Sequence, residues 1–218
     1  MTGFLGSQDF SLLGIQRKNG SMASDETAYT ARPRPQYDAG EMEGVRARDP
    51  EALGRFFDLH FGLVYRFCHR MLGDWAMAED VTQEVFLKVW KVADRLDAAR
   101  DPAPFLLTIA LRKSQSYLRS RAHRARQRWG TIQDSAEGQP ATAGGPEKDV
   151  LSSESQRLVQ EALLALPTKF RAVIVLHDFH KLSHEQIAKT MDLSHAAVRK
   201  RHSRALAALA KILKGRLQ

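Results

Sequence analysis

The stretch from Leu182 to Leu209, LSHEQIAKTMDLSHAAVRKRHSRALAAL, constrains the fold more than any other part of the chain. Ser183 and Gln186 have the spacing of a capping box, and apolar residues at helical spacing follow them. Leu193 then fills a tight turn, and Ser194 is a second N-cap. The pattern predicts a helix-turn-helix, in which the second helix lies in the major groove of DNA.

The second predicted helix turns polar and basic side chains outward. Those able to reach phosphates or base edges are His195, Arg199, Lys200 and Ser203. His202 is interpreted as a half-buried structural histidine and not as a sensor. The alternative is an ordinary helical hairpin with a solvated basic face. Two capped helices, a short turn and an acid-free run from Leu193 to Gln218 together favour DNA binding.

The charge of the chain points to the same kind of partner. The formal net charge is +8 and the sequence pI is about 9.8. The cations form two acid-free blocks, one from Arg112 to Arg128 and one from Arg199 to Arg216. Each block is able to displace counterions from a phosphate backbone, so we expect two separate surfaces for nucleic acid.

Cysteine usage and hydropathy exclude several classes of protein. Cys68 is the only cysteine, so no intrachain disulfide forms and a reducing cytoplasm fits. Cys68 and His69 lack a second ligand pair at zinc-site spacing, and we therefore expect a core cysteine, no metal and no cofactor. No basic leader and no run of roughly 20 apolar residues is present, so we expect no membrane insertion.

Four segments follow from composition and periodicity, and the predicted fold class is all-α. Residues 1–42 read as a disordered N-terminal extension, and residues 43–127 as a small helical domain. Residues 128–150, rich in Gly, Pro, Ala and small polar residues, read as a flexible linker. Residues 151–218 form a second helical domain that contains the helix-turn-helix.

The first domain has three predicted helices. The first begins at Asp49-Pro50 and ends at Gly73, and the second runs from about Asp74 to Leu96 with Trp90 packed inward. The prolines of the loop from Asp97 to Pro104 end it, and the third begins at Phe105.

Two motifs resemble a known family. The segment AEDVTQEVFLKVW, Ala78 to Trp90, resembles the AEDxxQExF motif in region 2 of the extracytoplasmic-function (ECF) sigma factors of the sigma-70 family. The segment from Ala165 to Leu206 resembles their region 4. The resemblance implies a sigma factor that directs core RNA polymerase to specific promoters and helps to open them, and it implies an anti-sigma factor as a further partner.

Region 2 carries a short acidic face in a basic protein. Asp80 and Glu84 lie one helical turn apart, with Gln83 beside them. The opposite side of this helix, with Val81 and Val85, is already committed to the core. DNA would repel the carboxylates, so we expect a protein partner, and the resemblance implies the clamp helices of the polymerase largest subunit.

The third helix, by resemblance, reads the downstream promoter element. The loop before it captures a base flipped out of the opened strand, and cations and aromatic rings hold that strand. The implied residues are Arg100, Phe105, Arg112, Lys113, Tyr117 and Arg119. The chain departs from the family pattern where Phe105 replaces Trp, Arg112 replaces Asn and Ser116 replaces Asp. The resemblance gives the upstream element to the recognition helix of region 4.

Two other function classes remain as alternatives. One is a conventional helix-turn-helix regulator with an N-terminal sensing or dimerisation domain, which would bind duplex DNA tightly by itself. The other is an enzyme, because His177-Asp178 is similar to the metal-binding pair of HD phosphohydrolases. That chemistry needs further His and Asp ligands on neighbouring helices, so we expect a protein without catalysis of its own.

Overall fold

The fold is helical throughout the described part of the chain. The computed structural model describes residues 39–97, 100–129 and 150–216. The all-α prediction is confirmed, since no strand occurs within those ranges. Most of the predicted N-terminal extension (1–38 of 1–42) and of the predicted linker (130–149 of 128–150) lies outside the described residues.

The described chain contains two groups of α-helices. The first group is α1 (Ala39–Arg46), α2 (Pro50–Leu72), α3 (Trp75–Lys91) and α4 (Ala103–Trp129), with a 3-10 turn at Ala93–Arg95 after α3. The second group is α5 (Val150–Ala165), α6 (Thr168–Ile174), a π-helical turn at Val175–Phe179, α7 (His184–Met191) and α8 (His195–Arg216). No helix within the described ranges is long and apolar enough to cross a membrane.

Local signals set the ends of α2. Asp49 accepts a hydrogen bond from the backbone N–H of Ala52 at 2.9 Å, with Pro50 in the first helical position, as predicted. Gly73 ends the helix with φ +75°, a left-handed conformation that suits glycine. The apolar face of α2 is buried against α3 and α4, and the three helices share one core.

The predicted boundary at residue 42 falls inside α1. Met42 and Val45 are fully buried, because their helical spacing places both on the face that packs against the core. The residues from 39 to 42 therefore belong to the folded domain and not to a disordered extension. The eight residues of α1 are too few to show a clear helical period in the sequence.

The predicted inward position of Trp90 is wrong. Its side chain is 36% exposed, and the guanidinium of Arg48 lies over the indole ring, 5.9 Å from its centroid. The helix geometry explains the difference, because Val81, Val85 and Val89 mark the centre of the buried face and Trp90 lies about 100° further round α3, at its edge.

The two groups of helices pack on each other. Their buried residues form one hydrophobic cluster that runs from Phe67 and Leu107 in the first group to Leu176 and Ile187 in the second. Arg171, only 7% exposed, crosses the junction and donates hydrogen bonds to the carbonyls of Leu163, Leu164, Leu166 and Met71. These carbonyls end α5 and α2, so one guanidinium satisfies the ends of helices from both groups.

Candidate nucleic-acid interface

The acidic face of α3 is open to solvent. Asp80 and Glu84 are exposed and Gln83 is partly exposed, while Val81 and Val85 on the other side of the helix are buried. Asp74 caps the start of α3 by accepting a hydrogen bond from the Met77 N–H at 2.9 Å. The carboxylates are therefore available to a partner, as the sequence predicts.

The structure joins this acidic face to α4. Nζ of Lys113 lies 2.6 Å from Oε2 of Glu84, and both side chains remain partly exposed. Spacing along the sequence did not reveal this pair, because its members are 29 residues apart. Glu84, which is predicted to contact polymerase, thus forms an ion pair with Lys113, which is predicted to contact the opened strand.

The predicted downstream residues are distributed along α4 and the loop before it. Arg112 and Arg119 are exposed, Tyr117 is half-buried against the core, and Phe105 is 39% exposed. Arg100 lies in the loop and pairs with Asp97 at 2.8 Å. An exposed aromatic ring at the start of a helix that carries exposed cations is an arrangement suited to a single strand.

The start of α4 also contacts α7. The hydroxyl groups of Thr108 and Thr190 are 3.1 Å apart, and Phe105 lines a shallow depression that Gln186 and Lys189 close on the other side. The helix-turn-helix therefore lies against the end of α4 that carries Phe105. The sequence predicts these two surfaces in separate domains and gives no sign of their contact.

The helix-turn-helix has the predicted caps and turn. Ser183 and Gln186 form both hydrogen bonds of the capping box, at 3.1 and 2.9 Å. Asp192 takes the left-handed conformation with φ 54°, and the Leu193 N–H then bonds to the Ala188 carbonyl at 2.9 Å. These contacts set the angle at which α8 leaves α7.

The recognition helix α8 presents the predicted side chains. Ser194 caps it through the Ala197 N–H at 3.2 Å. The four candidates His195, Arg199, Lys200 and Ser203 are all exposed, and the opposite face with Val198 and Ala205 is buried. Leu206 is 43% exposed, whereas its neighbours Ala205 and Leu209 pack in the second hydrophobic cluster.

His202 lies deeper than expected and belongs to a polar cluster. It is 9% exposed, and its Nε2–H donates to Oδ2 of Asp178 at 2.8 Å. Burial opposes ionisation of Asp178, but the hydrogen bonds from His202 and His177 outweigh it and lower the pKa of the carboxyl. His177 and His184 complete the cluster, with their rings stacked at 4.5 Å. Residue spacing did not predict this grouping.

Cys68 is a core residue, as predicted. It is fully buried, and burial raises the pKa of its thiol to about 12. A thiol with such a pKa is neutral and inert at physiological pH. It carries no part of the candidate interface.

Comparison with known families accounts for both groups of helices. The model of sigma-70 region 2 matches residues 56–124, and a model of sigma-70 region 4 matches residues 156–209. The ECF RNA polymerase sigma factor SigW of Bacillus subtilis is 30% identical over 177 residues, which cover 79% of this chain and 95% of SigW. The chain belongs to the ECF sigma factors. The sigma-H factor of Pseudomonas aeruginosa is similar to this sigma factor as well, with 31% identity over 170 residues that cover 73% and 86% of the two chains.

Solved structures of sigma factors share the fold of this sigma factor. The sigma factor RpoE, in its complex with the anti-sigma factor NepR from Bartonella quintana, matches with a TM-score of 0.58 and 23% identity, over 73% of this chain and 95% of RpoE. CnrH, in complex with the cytosolic domain of CnrY, matches with a TM-score of 0.59 and 24% identity, over 82% and 97%. The region 2 match covers α3 and α4 as far as residue 124, and the region 4 match covers α7 and α8 as far as residue 209.

Proposed function

We propose that this sigma factor brings core RNA polymerase to promoters through three surfaces. The acidic face of α3, formed by Asp80, Gln83 and Glu84, binds polymerase. The start and exposed side of α4 hold the opened strand of the downstream element, and the outward face of α8 binds the upstream element. The observation that carries the proposal is that α4 and α8 expose cations and contain no acidic residue, whereas the exposed carboxylates Asp80 and Glu84 lie on α3.

The role of each surface follows from its charge. Carboxylates repel phosphates, so the α3 face suits a basic protein surface. Exposed cations on α8 suit phosphates and base edges, and Arg199 is able to make a bidentate contact with guanine. The protein contributes binding and strand separation and performs no catalysis of its own. The match to region 2 disfavours the alternative, a regulator with a sensing or dimerisation domain.

The polymerase surface is tested by charge reversal. We expect the double variant Asp80→Lys, Glu84→Lys to lose co-purification with core polymerase and to keep its helicity. The control reverses Asp58 and Glu154 to Lys, since both are exposed carboxylates on other helices and the change in net charge is the same. Equal retention of polymerase by the test and control variants would refute the role of the acidic face.

The Lys113–Glu84 pair allows a sharper experiment. Glu84→Lys both removes a carboxylate from α3 and breaks the pair, whereas Glu84→Lys with Lys113→Glu restores an ion pair. If Glu84 contacts polymerase directly, the swapped variant stays defective. Recovery of polymerase binding in the swapped variant would mean that residue 84 acts through its ion pair with α4 and not by contacting polymerase.

The upstream surface is tested on the assembled polymerase. Arg199→Ala is expected to weaken promoter binding by about 1–3 kcal/mol if the side chain reads a base. A phosphate contact would instead weaken all sequences alike and reduce the salt dependence. Arg95→Ala is the matched control, because it removes an exposed arginine that lies outside both acid-free cationic blocks. Unchanged affinity and salt dependence in Arg199→Ala would show that Arg199 does not face DNA.

The contact between α4 and α7 offers an anti-sigma factor a binding surface that includes both modules. The Thr108–Thr190 hydrogen bond and the depression beside Phe105 bring the downstream and upstream modules together. The two modules must move apart to reach separate promoter elements. A partner that binds the form with α4 and α7 in contact more tightly than the separated form shifts the population towards the form in contact. The complex of the sigma factor RpoE with the anti-sigma factor NepR, in which RpoE shares this fold, supports such a partner.

A further inference from the structure

Three histidines from three separate elements meet behind the recognition helix. His177 belongs to the π-helical turn, His184 is the first residue of α7, and His202 lies in α8. One potential ligand atom from each of them lies within 4.8 Å of the others. Three converging imidazole nitrogens form one of the commonest ligand sets for zinc and neighbouring transition metals, and a bound ion would draw them together to about 3.3 Å.

A single carboxylate orients two of the three rings. Oδ2 of Asp178 accepts from Nε2 of His202 at 2.8 Å, and Oδ1 lies 3.1 Å from Nδ1 of His177. With those nitrogens donating to Asp178, the lone pairs remain at Nδ1 of His202 and Nε2 of His177. A carboxylate that fixes the tautomer of a ligating histidine in this way is the usual outer partner of a protein metal site.

The distance between the ligand atoms of His184 and His202 also fits a metal site. Nε2 of His184 lies 3.2 Å from Nδ1 of His202, which is the nitrogen that Asp178 leaves free. Two ligands at about 2.05 Å from a tetrahedral ion are about 3.3 Å apart. A hydrogen bond between the two imidazoles has the same length, so the experiment must separate a metal site from a chain of hydrogen-bonded histidines.

We propose that His177, His184 and His202 form a three-histidine site for a divalent transition metal ion of the zinc class, with Asp178 as the carboxylate that orients two of the ligands. A fourth position is left for water or for His195, whose ring centroid lies 6.0 Å from that of His184. The site would cross-link the turn before the helix-turn-helix to both of its helices.

The ion would act on the DNA-binding face, and this part rests on the proposed function of α8. Metal binding to the folded state stabilises that state, so the ion would fix the angle between α7 and α8. It would also place positive charge behind the helix that exposes His195 and Arg199. We therefore expect promoter affinity of the polymerase complex to rise when the sigma factor holds the ion.

The test uses the full chain without an affinity tag, stripped with a chelator and titrated with Zn²⁺ and with Co²⁺. We expect saturation at one ion per chain, visible absorption bands of tetrahedral Co²⁺, and a rise in Tm. Asp178→Asn should weaken Zn²⁺ binding about 10- to 100-fold, and His184→Ala should weaken it further. His123→Ala removes an exposed histidine of α4 and should change nothing.

Two results would overturn the metal site. One is the absence of bound ion in the stripped and reloaded wild-type protein. The other is equal Zn²⁺ affinity in wild type and in a folded His184→Ala variant, which would show that the three histidines only bond to each other and to Asp178. His184 is half-buried, so its replacement is expected to leave the fold intact, and circular dichroism checks this.

The DNA readout separates the metal site from the proposed function. Promoter binding by the polymerase complex is measured with stripped and with Zn²⁺-loaded sigma factor, for wild type and for His184→Ala. A Zn²⁺-dependent gain in the wild type alone supports the coupling. Failure of both forms to bind promoters would contradict the proposed function, while Zn²⁺ binding measured without DNA would still decide the metal site.

Discussion

Replacement of Arg171 tests how the two groups of helices are held together. Three of its four hydrogen bonds to carbonyls are buried, and the bond to Met71 connects residues 100 positions apart. A buried acceptor that loses its donor costs about 1–3 kcal/mol. Arg171→Ala is therefore expected to lower the free energy of unfolding by about 3–5 kcal/mol, a large part of the stability of an ordinary domain.

The assay is urea denaturation followed by far-UV circular dichroism, which gives both the midpoint and the m-value. Arg171→Lys should lie between wild type and Arg171→Ala, because an ammonium has three donors and no planar fork. Arg157→Ala is the control, since it removes an exposed arginine whose pair with Glu161 is worth less than about 1 kcal/mol. A loss within about 1 kcal/mol for Arg171→Ala would refute the argument, because the carbonyls would then be reached by water.

Three further predictions concern the ends and the core of the helices. Gly73→Ala should destabilise the protein by about 1–3 kcal/mol, because φ is +75° and the new Cβ would lie 2.4 Å from the side chain of Leu164. Gly54→Ala should instead stabilise it by about 0.5–1 kcal/mol, because Gly54 lies inside α2 with open space around it. Burial, partly opposed by Asp101, lowers the pKa of His60 to about 4 from 6.5. The folded state thus binds fewer protons, so stability should fall by about 1.4 kcal/mol per pH unit as the pH drops from 6.5 towards 4, and His60→Gln should remove this dependence in urea titrations at several pH values. Ser183→Ala removes one half of the capping box and should cost about 1 kcal/mol by the same assay.

Each of these predictions has a contrary outcome. Equal effects of alanine at positions 73 and 54 would mean that the left-handed end of α2 relaxes freely. An unchanged pH dependence in His60→Gln would assign acid sensitivity to other groups. Full stability of Ser183→Ala would mean that water replaces the cap.

The sequence predicts the structure correctly where the deciding contacts are local. The caps at Asp49, Ser183 and Ser194 each bond to a backbone N–H three residues on, and such bonds follow from residue type and spacing. The outward positions of Asp80 and Arg199 were predictable for a similar reason, because the apolar residues around them at helical spacing fix which side of the helix is buried.

The sequence by itself thus determined the long helices of both groups, the caps at Asp49, Ser183 and Ser194, and the sign of the charge on the exposed faces of α3 and α8. Only the tertiary structure decided which faces meet. The Lys113–Glu84 pair, the bonds of Arg171 across the junction and the grouping of His177, His184 and His202 join residues that are far apart in the chain. The physical reason is that periodicity specifies which side of a helix is buried, whereas the partner of that side depends on how whole helices pack.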